Sequence, residues 1–313
     1  MSSIESAPVI VITGPTASGK GEVAFEVARR AGGEIVSMDS MKVYRELRIG
    51  TAKPPAERTA RVRHHLIDIV DPDSDFSVAE YMALLSGALD DISSRGARAI
   101  ITGGTPLYLK AFLDGLDVGV PPDWSVRKRL IAEAEEVGVE SLHERLRAAD
   151  VVAASRIEPR DLRRVVRALE VLERTGKPLS AAWSWRGKAP APPRAKVFGI
   201  AWAREDLYRR IDQRVDRMVS QGLFEEVARL AERPVPLSRS ASQSIGFKEI
   251  REGLVLARPR EEIIDRIQRS SRRLAKRQLT WFRKLPIDWI PVSGAWNALV
   301  IAEEVLRRSG WAG

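Results

Sequence analysis

The first run of the chain that loses polarity is Pro8-Val9-Ile10-Val11-Ile12-Thr13, a short β-branched stretch ending at Gly14. It is apolar at successive positions rather than alternate ones, which predicts a strand buried on both faces, as in a parallel sheet. An amphipathic stretch runs from Lys20 to Ala31 and stops at Gly32-Gly33, predicting a helix with a glycine terminator. Strand character returns in Glu34-Ile35-Val36-Ser37-Met38, which ends at Asp39, and in Arg98-Ala99-Ile100-Ile101-Thr102, which ends at Gly103-Gly104. Two later runs, Lys196-Val197-Phe198-Gly199-Ile200-Ala201-Trp202 and Asp288-Trp289-Ile290-Pro291-Val292, read the same way, with Pro291 near the end of the last strand. Helical patterns fill the intervals, so the expected class is α/β with a parallel sheet flanked by helices.

Residues 122–195 break this alternation. They supply helical and irregular patterns but no clear strand, between Pro121-Pro122 and the stiff segment Ala189-Pro190-Ala191-Pro192-Pro193. They read as a helical insertion domain carried by a core domain made of residues 7–121 and 196–313. No internal repeat is visible.

Composition narrows the class further. With 44% hydrophobic and 30% charged residues over 313 positions, the profile is that of a soluble globular protein. The absence of cysteine excludes a disulfide framework and thiolate chemistry. Met1-Ser2-Ser3-Ile4-Glu5 lacks a basic, then apolar, leader, and no run reaches membrane-spanning length. A cytoplasmic monomer without a membrane partner is therefore expected. The net charge of +9 is unevenly placed: residues 1–150 carry −5 and residues 151–313 carry +14. Such asymmetry fits a polyanion partner for the second half, and equally a preference for Arg on solvated faces.

The most specific local signal is Gly14-Pro15-Thr16-Ala17-Ser18-Gly19-Lys20, which fits G-x-x-x-x-G-K between a strand and a helix. Glycines let the backbone wrap an anion, the helix N-terminus presents N–H groups, and Lys20 adds a full charge. The next residue is Gly21, where Ser or Thr ordinarily provides a hydroxyl for Mg²⁺. Phosphate cradling survives that change, and direct metal ligation from position 21 does not. Thr16 and Ser18 carry the nearby hydroxyls. The strand ending Thr102-Gly103-Gly104-Thr105 lacks the carboxylate of an ordinary NTPase, which suits a loop that holds diphosphate without hydrolysing a triphosphate. The strand-end carboxylate is Asp39. Because ligands bind beyond the carboxyl ends of such strands, Asp39, Thr105 and Lys20 are expected to share one crevice. Asp39 reads either as a general base or as a cap with Ser40.

An ordered set of segments carries a family resemblance: residues 14–20, Asp39-Ser40-Met41-Lys42-Val43-Tyr44, Ile49-Gly50-Thr51-Ala52-Lys53-Pro54, His64-His65-Leu66-Ile67-Asp68, and Gly103-Gly104-Thr105-Pro106-Leu107-Tyr108. It continues through Arg163-Arg164-Val165-Val166-Arg167-Ala168-Leu169-Glu170, Ser244-Ile245-Gly246-Phe247-Lys248-Glu249 and Ala275-Lys276-Arg277-Gln278-Leu279-Thr280-Trp281-Phe282. The chain resembles the tRNA dimethylallyltransferases over nearly its whole length. The resemblance implies a P-loop core and transfer of a dimethylallyl group from dimethylallyl diphosphate to N6 of adenine 37 in the tRNA anticodon stem-loop, assisted by Mg²⁺. It implies Asp39, Thr105 and Arg214 as catalytic residues, with residues 14–21 and Arg214 around the diphosphate. It implies contacts to tRNA from Asp39, Ser40, Met41, Lys42, Thr105 and Arg127, and from Arg163, Arg164, Val165, Val166 and Arg167. Further contacts are implied from Gln243, Ser244, Gly246, Phe247, Lys248, Lys276, Arg277, Gln278, Thr280, Trp281 and Arg283. Gly21, Lys42 and Phe247 depart from the family's usual Thr, Gln and Tyr, and Glu158 and Arg160 from its frequent His and Asn.

Basic clusters agree with an RNA partner. Residues 266–284 hold eight Lys and Arg and no acid, interleaved with Gln268, Gln278 and Trp281. In a helix expected over 207–230, Arg210, Arg214 and Arg217 share one face. Arg210 and Arg217 read as solvated there, with Asp212, Asp216 and Glu225 as partners. His64, His65 and His143 lack metal-ligand spacing. The rival readings are a prenyltransferase acting on free AMP or ATP, a small-molecule kinase, and a tRNA-binding protein without catalysis.

Overall fold

The computed structural model describes residues 9–115, 122–182, 195–292 and 295–311. Pro121 and the proline-rich segment 189–193 lie outside the described residues. The chain divides into two compact units, one of Met1–Leu113 with Pro192–Gly313 and one of Asp114–Ala191.

The first unit is built on six parallel strands: β1 (Val9–Thr13), β2 (Gly33–Ser37), β3 (His64–His65), β4 (Arg98–Gly103), β5 (Ala195–Ala201) and β6 (Asp288–Pro291), in the order β3-β2-β4-β1-β5-β6. This is the α/β, P-loop-like sheet that the strand runs imply. The two-residue β3 was not legible in the sequence, being too short to show any period. It pairs with β2 through Ile35 opposite His64. Helices α1 (Lys20–Ala31), α2 (Ala56–Arg61), α3 (Val78–Ser94) and α4 (Pro106–Asp114) follow the N-terminal strands. The continuous apolarity of β1 has a simple cause, since alternate residues feed two cores. Ile10 and Ile12 pack with Val23 and Val27 of α1 and Val305 of the C-terminal helix, while Val9 and Val11 join Val36, Ile101, Tyr81 and Phe282. Burying each such side chain contributes about 1.5–3 kcal/mol.

The second unit holds α5 (Trp124–Val137), α6 (Val139–Ala149), α7 (Val151–Ala154), α8 (Leu162–Thr175) and α9 (Leu179–Ala182) around Leu130, Leu142, Leu146, Val165 and Leu169. His143 is buried there against the carbonyls of Ala154 and Ile157, a packing role.

After β5 the chain runs α10 (Arg204–Ser220), α11 (Leu223–Ala231), α12 (Phe247–Val255), α13 (Arg260–Phe282) and, after β6, α14 (Ala298–Ser309). The single helix expected over 207–230 is two. Gln221 ends α10, and Gly222, at φ 96°, starts α11 in a conformation that side-chain-bearing residues rarely adopt.

Candidate active site

The carboxyl ends of β1, β2 and β4 meet above α1, and their loops build the site. The β1 loop, residues 14–20, turns through positive φ at Gly14, Ala17 and Gly19 before α1 begins. Gly19 is dictated twice over: its φ is 86°, and a Cβ there would lie 2.3 Å from the Trp296 ring. Between β2 and β4 the fit is tighter still. A Cβ on Gly103 would fall 1.8 Å from the Met38 carbonyl oxygen, so only glycine allows the two strand ends to approach.

Lys20, Asp39 and Thr105 do come together here. Asp39 Oδ1 accepts the backbone N–H groups of Met41 at 2.9 Å and Lys42 at 3.3 Å. The carboxylate therefore caps the turn of residues 40–43, while Oδ2 has no hydrogen bond among the described residues. The cap reading of Asp39 is met in a turn rather than at a helix start: one oxygen shapes the loop and the other is unspent. The Ser40 N–H donates to Thr105 Oγ1 at 3.1 Å, which ties this turn to the β4 loop. Behind it, Lys53, with a side chain 1% exposed, donates to the Tyr44 carbonyl and to Asp68 Oδ1 at 2.5 Å. Glu226, from α11, accepts the N–H groups of Arg48, Ile49 and Gly50 at 2.7–3.0 Å. The Ile49–Pro54 and His64–Asp68 motifs therefore serve to brace the Asp39 turn.

Electrostatically the crevice is short of negative charge. Burial pushes Lys20 down to about 7; the Asp39 carboxylate opposes that fall, and Arg214 and Lys42 add to it. Lys42 and Arg214 are themselves lowered, first by burial, with Asp39 again the opposing charge. Arg214 Nη1 donates to Thr16 Oγ1 at 3.0 Å. Three basic side chains thus face one carboxylate, an arrangement suited to an anionic ligand.

Two residues matter more than their sequence context suggested. Arg210 is not a solvated face residue: its Nε donates to the Ala17 carbonyl at 3.0 Å, and its guanidinium lies 4.4 Å and 4.8 Å from the rings of Trp202 and Trp296. Trp202 Nε1 donates to the Ser18 carbonyl at 3.0 Å, so the phosphate loop rests on a Trp-Arg-Trp seat. Of the carboxylates expected to pair with it, Asp212 instead binds Arg272 at 2.9 Å and Asp216 accepts from Gln268 at 3.1 Å. Gln278, expected at the RNA surface, is buried, with its amide spent on Thr16 N and the Gly104 carbonyl.

The remaining RNA candidates divide by exposure. On α13, the stripe Ala275, Gln278 and Phe282 is buried. Lys276, Arg277, Thr280 and Trp281 are exposed, as are Arg273, Arg283 and Lys284. Of the eight cations in this run, Arg266, Arg269 and Arg272 are neutralised by Glu252, Asp265 and Asp212. The other five are in no ion pair among the described residues. Gln243 and Lys248 are exposed, whereas Ser244, Gly246 and Phe247 are buried where α12 begins, which takes the Ser244 and Phe247 side chains off the surface. In the helical unit, Arg163 and Arg164 are exposed. Val165 and Val166 are core residues, at 0% and 3% exposure, so an RNA contact through their side chains is corrected to a packing role. Arg127 and Arg167 bind the buried Glu170 at 2.9 Å and 2.5 Å, and Arg127 also lies over Trp124.

A family model described as IPP transferase matches residues 42–285. The chain belongs to the IPP transferase family. Among relatives of the same family, a tRNA dimethylallyltransferase of Geobacter metallireducens is 44% identical over 301 residues, covering 96% of this chain and 97% of that protein. The Geobacter sulfurreducens protein of that name is 45% identical over 283 residues, covering 90% and 91%. Among solved structures, the full-length tRNA isopentenylpyrophosphate transferase of Bacillus halodurans superposes with a TM-score of 0.71 at 38% identity, over 97% of this chain and 96% of that one. A eukaryotic dimethylallyltransferase acting on tRNA gives a TM-score of 0.75 at 27% identity, over 91% and 74%. The IPP transferase match begins at Lys42, so the phosphate loop and Asp39 lie outside the matched span and rest on their own geometry and on the full-length relatives.

Proposed function

We propose that the chain transfers a dimethylallyl group from dimethylallyl diphosphate to N6 of adenine 37 in the anticodon loop of tRNA. The observation that carries this reading is the crevice itself: an unspent Asp39 oxygen and Thr105 stand beside a phosphate loop, with half-buried Lys20, Lys42 and Arg214 facing a single carboxylate. In the reaction, N6 attacks C1 of the dimethylallyl group, the C1–O bond breaks with its electrons going to the diphosphate, and Asp39 Oδ2 takes the N6 proton. Lys20, Arg214 and the loop N–H groups stabilise the charge that builds on the leaving oxygen, where fixed positive groups contribute most. Thr105 and Ser40, bonded to each other, orient the adenine. The three unpaired cations of α13 (Arg273, Lys276 and Arg277) and the two just after it (Arg283 and Lys284), with Trp281 at 38% exposure, suit phosphates and an unstacked base of a loop.

Mg²⁺ belongs to the proposal, and the residues place a condition on it. A Cβ on Gly21 would meet nothing within 4 Å, so the position has room for a hydroxyl side chain but supplies none. Thr16 Oγ1 is taken by Arg214, and Ser18 Oγ is buried without a partner. No cluster of three or more His, Cys, Asp or Glu able to cage a metal occurs among the described residues. This donor set fits an ion that arrives on the diphosphate oxygens, with Ser18 Oγ as the loop's free donor. Such an ion would add neutralising charge to the diphosphate.

The test is transfer of label from dimethylallyl diphosphate to an anticodon stem-loop with adenine at 37, beside AMP and ATP, in wild type and Asp39→Ala. Label on the RNA that disappears in the variant is the expected result. Label on AMP alone would sink the RNA reading, and tight RNA binding without any transfer would sink the catalytic one.

A further inference from the structure

Among the described residues, one side chain of the helix read as RNA-facing hydrogen-bonds the phosphate loop. Gln278 lies on α13 between exposed Arg277 and the exposed pair Thr280 and Trp281, yet it is itself only 7% exposed. Its Oε1 accepts the Thr16 N–H at 2.8 Å, and its Nε2 donates to the Gly104 carbonyl at 2.7 Å. Thr16 belongs to the diphosphate loop, and Gly104 precedes Thr105 on the acceptor side of the crevice. One amide therefore spans donor and acceptor sites. The chemistry admits few substitutes. A carboxylate can only accept, an ammonium can only donate, and an apolar side chain would leave a buried N–H and C=O unpaired. The contact is close: a Cβ on Gly104 would lie 2.8 Å from Gln278 Nε2 and 3.2 Å from Lys20 Nζ. The helix is pinned one turn to either side by Ala275 and Phe282, both fully buried. Displacement of its exposed face therefore has to be transmitted inward rather than absorbed by slack.

We propose that Gln278 is a positioning residue that couples the two substrates: RNA seated on the exposed face of α13 fixes this amide, and the amide fixes Thr16 and Gly104, so that RNA and diphosphate each bind tighter when the other is present. The proposal rests on the reading that α13 carries RNA. Coupling of this kind is reciprocal and is measured as a ratio of dissociation constants. The ordering that the first ligand imposes is ordering that the second no longer has to impose.

The experiment is titration of inorganic diphosphate into the full-length protein, alone and with a saturating unmodified anticodon stem-loop, for wild type, Gln278→Met and Gln278→Glu. Wild type should bind diphosphate about five- to tenfold tighter with the stem-loop present. Gln278→Met should bring that ratio close to one. Gln278→Glu, which keeps the acceptor for Thr16 and loses the donor to Gly104, should fall between, and it supplies the answer if the Met variant does not fold. A purely structural glutamine would lower Tm and leave the ratio intact, and that result overturns the proposal. A wild-type ratio of one overturns it as well. A separate titration of the stem-loop alone distinguishes the two readings: failure of the stem-loop to bind at all, with diphosphate binding normal, would remove the RNA reading and the coupling together.

Discussion

Two charge clusters in this protein, one around the buried Glu170 and one around the half-buried Asp39, are assembled on opposite terms. In the helical unit, Glu170 is fully buried and is met by Asp123 N at 2.5 Å, two bonds from Arg127 and one from Arg167. Burial alone would raise its pKa, but these partners hold it below the usual carboxylate range. In the crevice, Lys20, Lys42 and Arg214 crowd one Asp39, and all three cations are held below their ordinary values. The first cluster is complete without any ligand and belongs to the fold. The second, on the proposed reading, is completed by the diphosphate. An incomplete cluster costs stability, and that cost is tolerable only where a substrate removes it.

The strongest test of this contrast is to remove a crevice cation. Lys20→Met and Arg214→Met should each lower dimethylallyl transfer about 10³-fold, measured under single turnover, because each removes a charge from the leaving group. Lys20→Met should also raise Tm at pH 7. A lysine held near 7 when folded and near its ordinary value when unfolded binds fewer protons in the folded state, so stability is withheld at neutral pH and recovered as pH climbs toward 10. A Tm that falls in this variant would contradict the account. The matching test in the helical unit is Glu170→Gln, expected to cost about 2–3 kcal/mol in urea unfolding, less than for a fully buried pair because both guanidiniums keep some water.

The effect of pH comes next in size. If diphosphate is held by a protonated Lys20 as proposed, its affinity should weaken about tenfold as pH rises one unit above Lys20's value of about 7. Calorimetry at pH 8 in buffers of different ionisation enthalpy should show proton uptake on binding, and Lys20→Met should abolish it. The smallest effect belongs to cations that neither cluster uses. Lys276→Ala and Arg277→Ala should each weaken stem-loop binding a few-fold and reduce the salt slope by about 1, while leaving diphosphate affinity unchanged.

Much of the site was legible in the sequence because phosphate loops, strand-end carboxylates and glycine-closed strands are local patterns. The segments 14–20, 39–44 and 103–108 announce the strand ends they occupy, and parallel-sheet topology brings those ends together. What escaped depends on pairs far apart in the chain. Helical spacing put Arg210 and Arg214 on one face but could not say that this face meets the phosphate loop. The bond from Gln278 to Thr16 links positions 262 apart. Glu226 reads as an ordinary helix carboxylate until the three N–H groups of residues 48–50 are found on it. Which cations of the basic run are paired was equally hidden, since Glu252, Asp265 and Asp212 lie outside the run.

The strand order has a consequence for synthesis on the ribosome. β1, which carries the phosphate loop, lies between β4 and β5 in the sheet, so one of its edges stays open until residue 201 has emerged. The seat beneath the loop waits longer, for Arg210 and then Trp296, and α14 covers α1 last. A nascent chain therefore carries the whole phosphate-loop sequence for most of its translation without the strand and seat that hold the loop in place. Long-range pairing of this kind folds slowly and leaves an apolar edge exposed meanwhile. Premature termination anywhere before the last helix should yield a chain that aggregates rather than a weak enzyme.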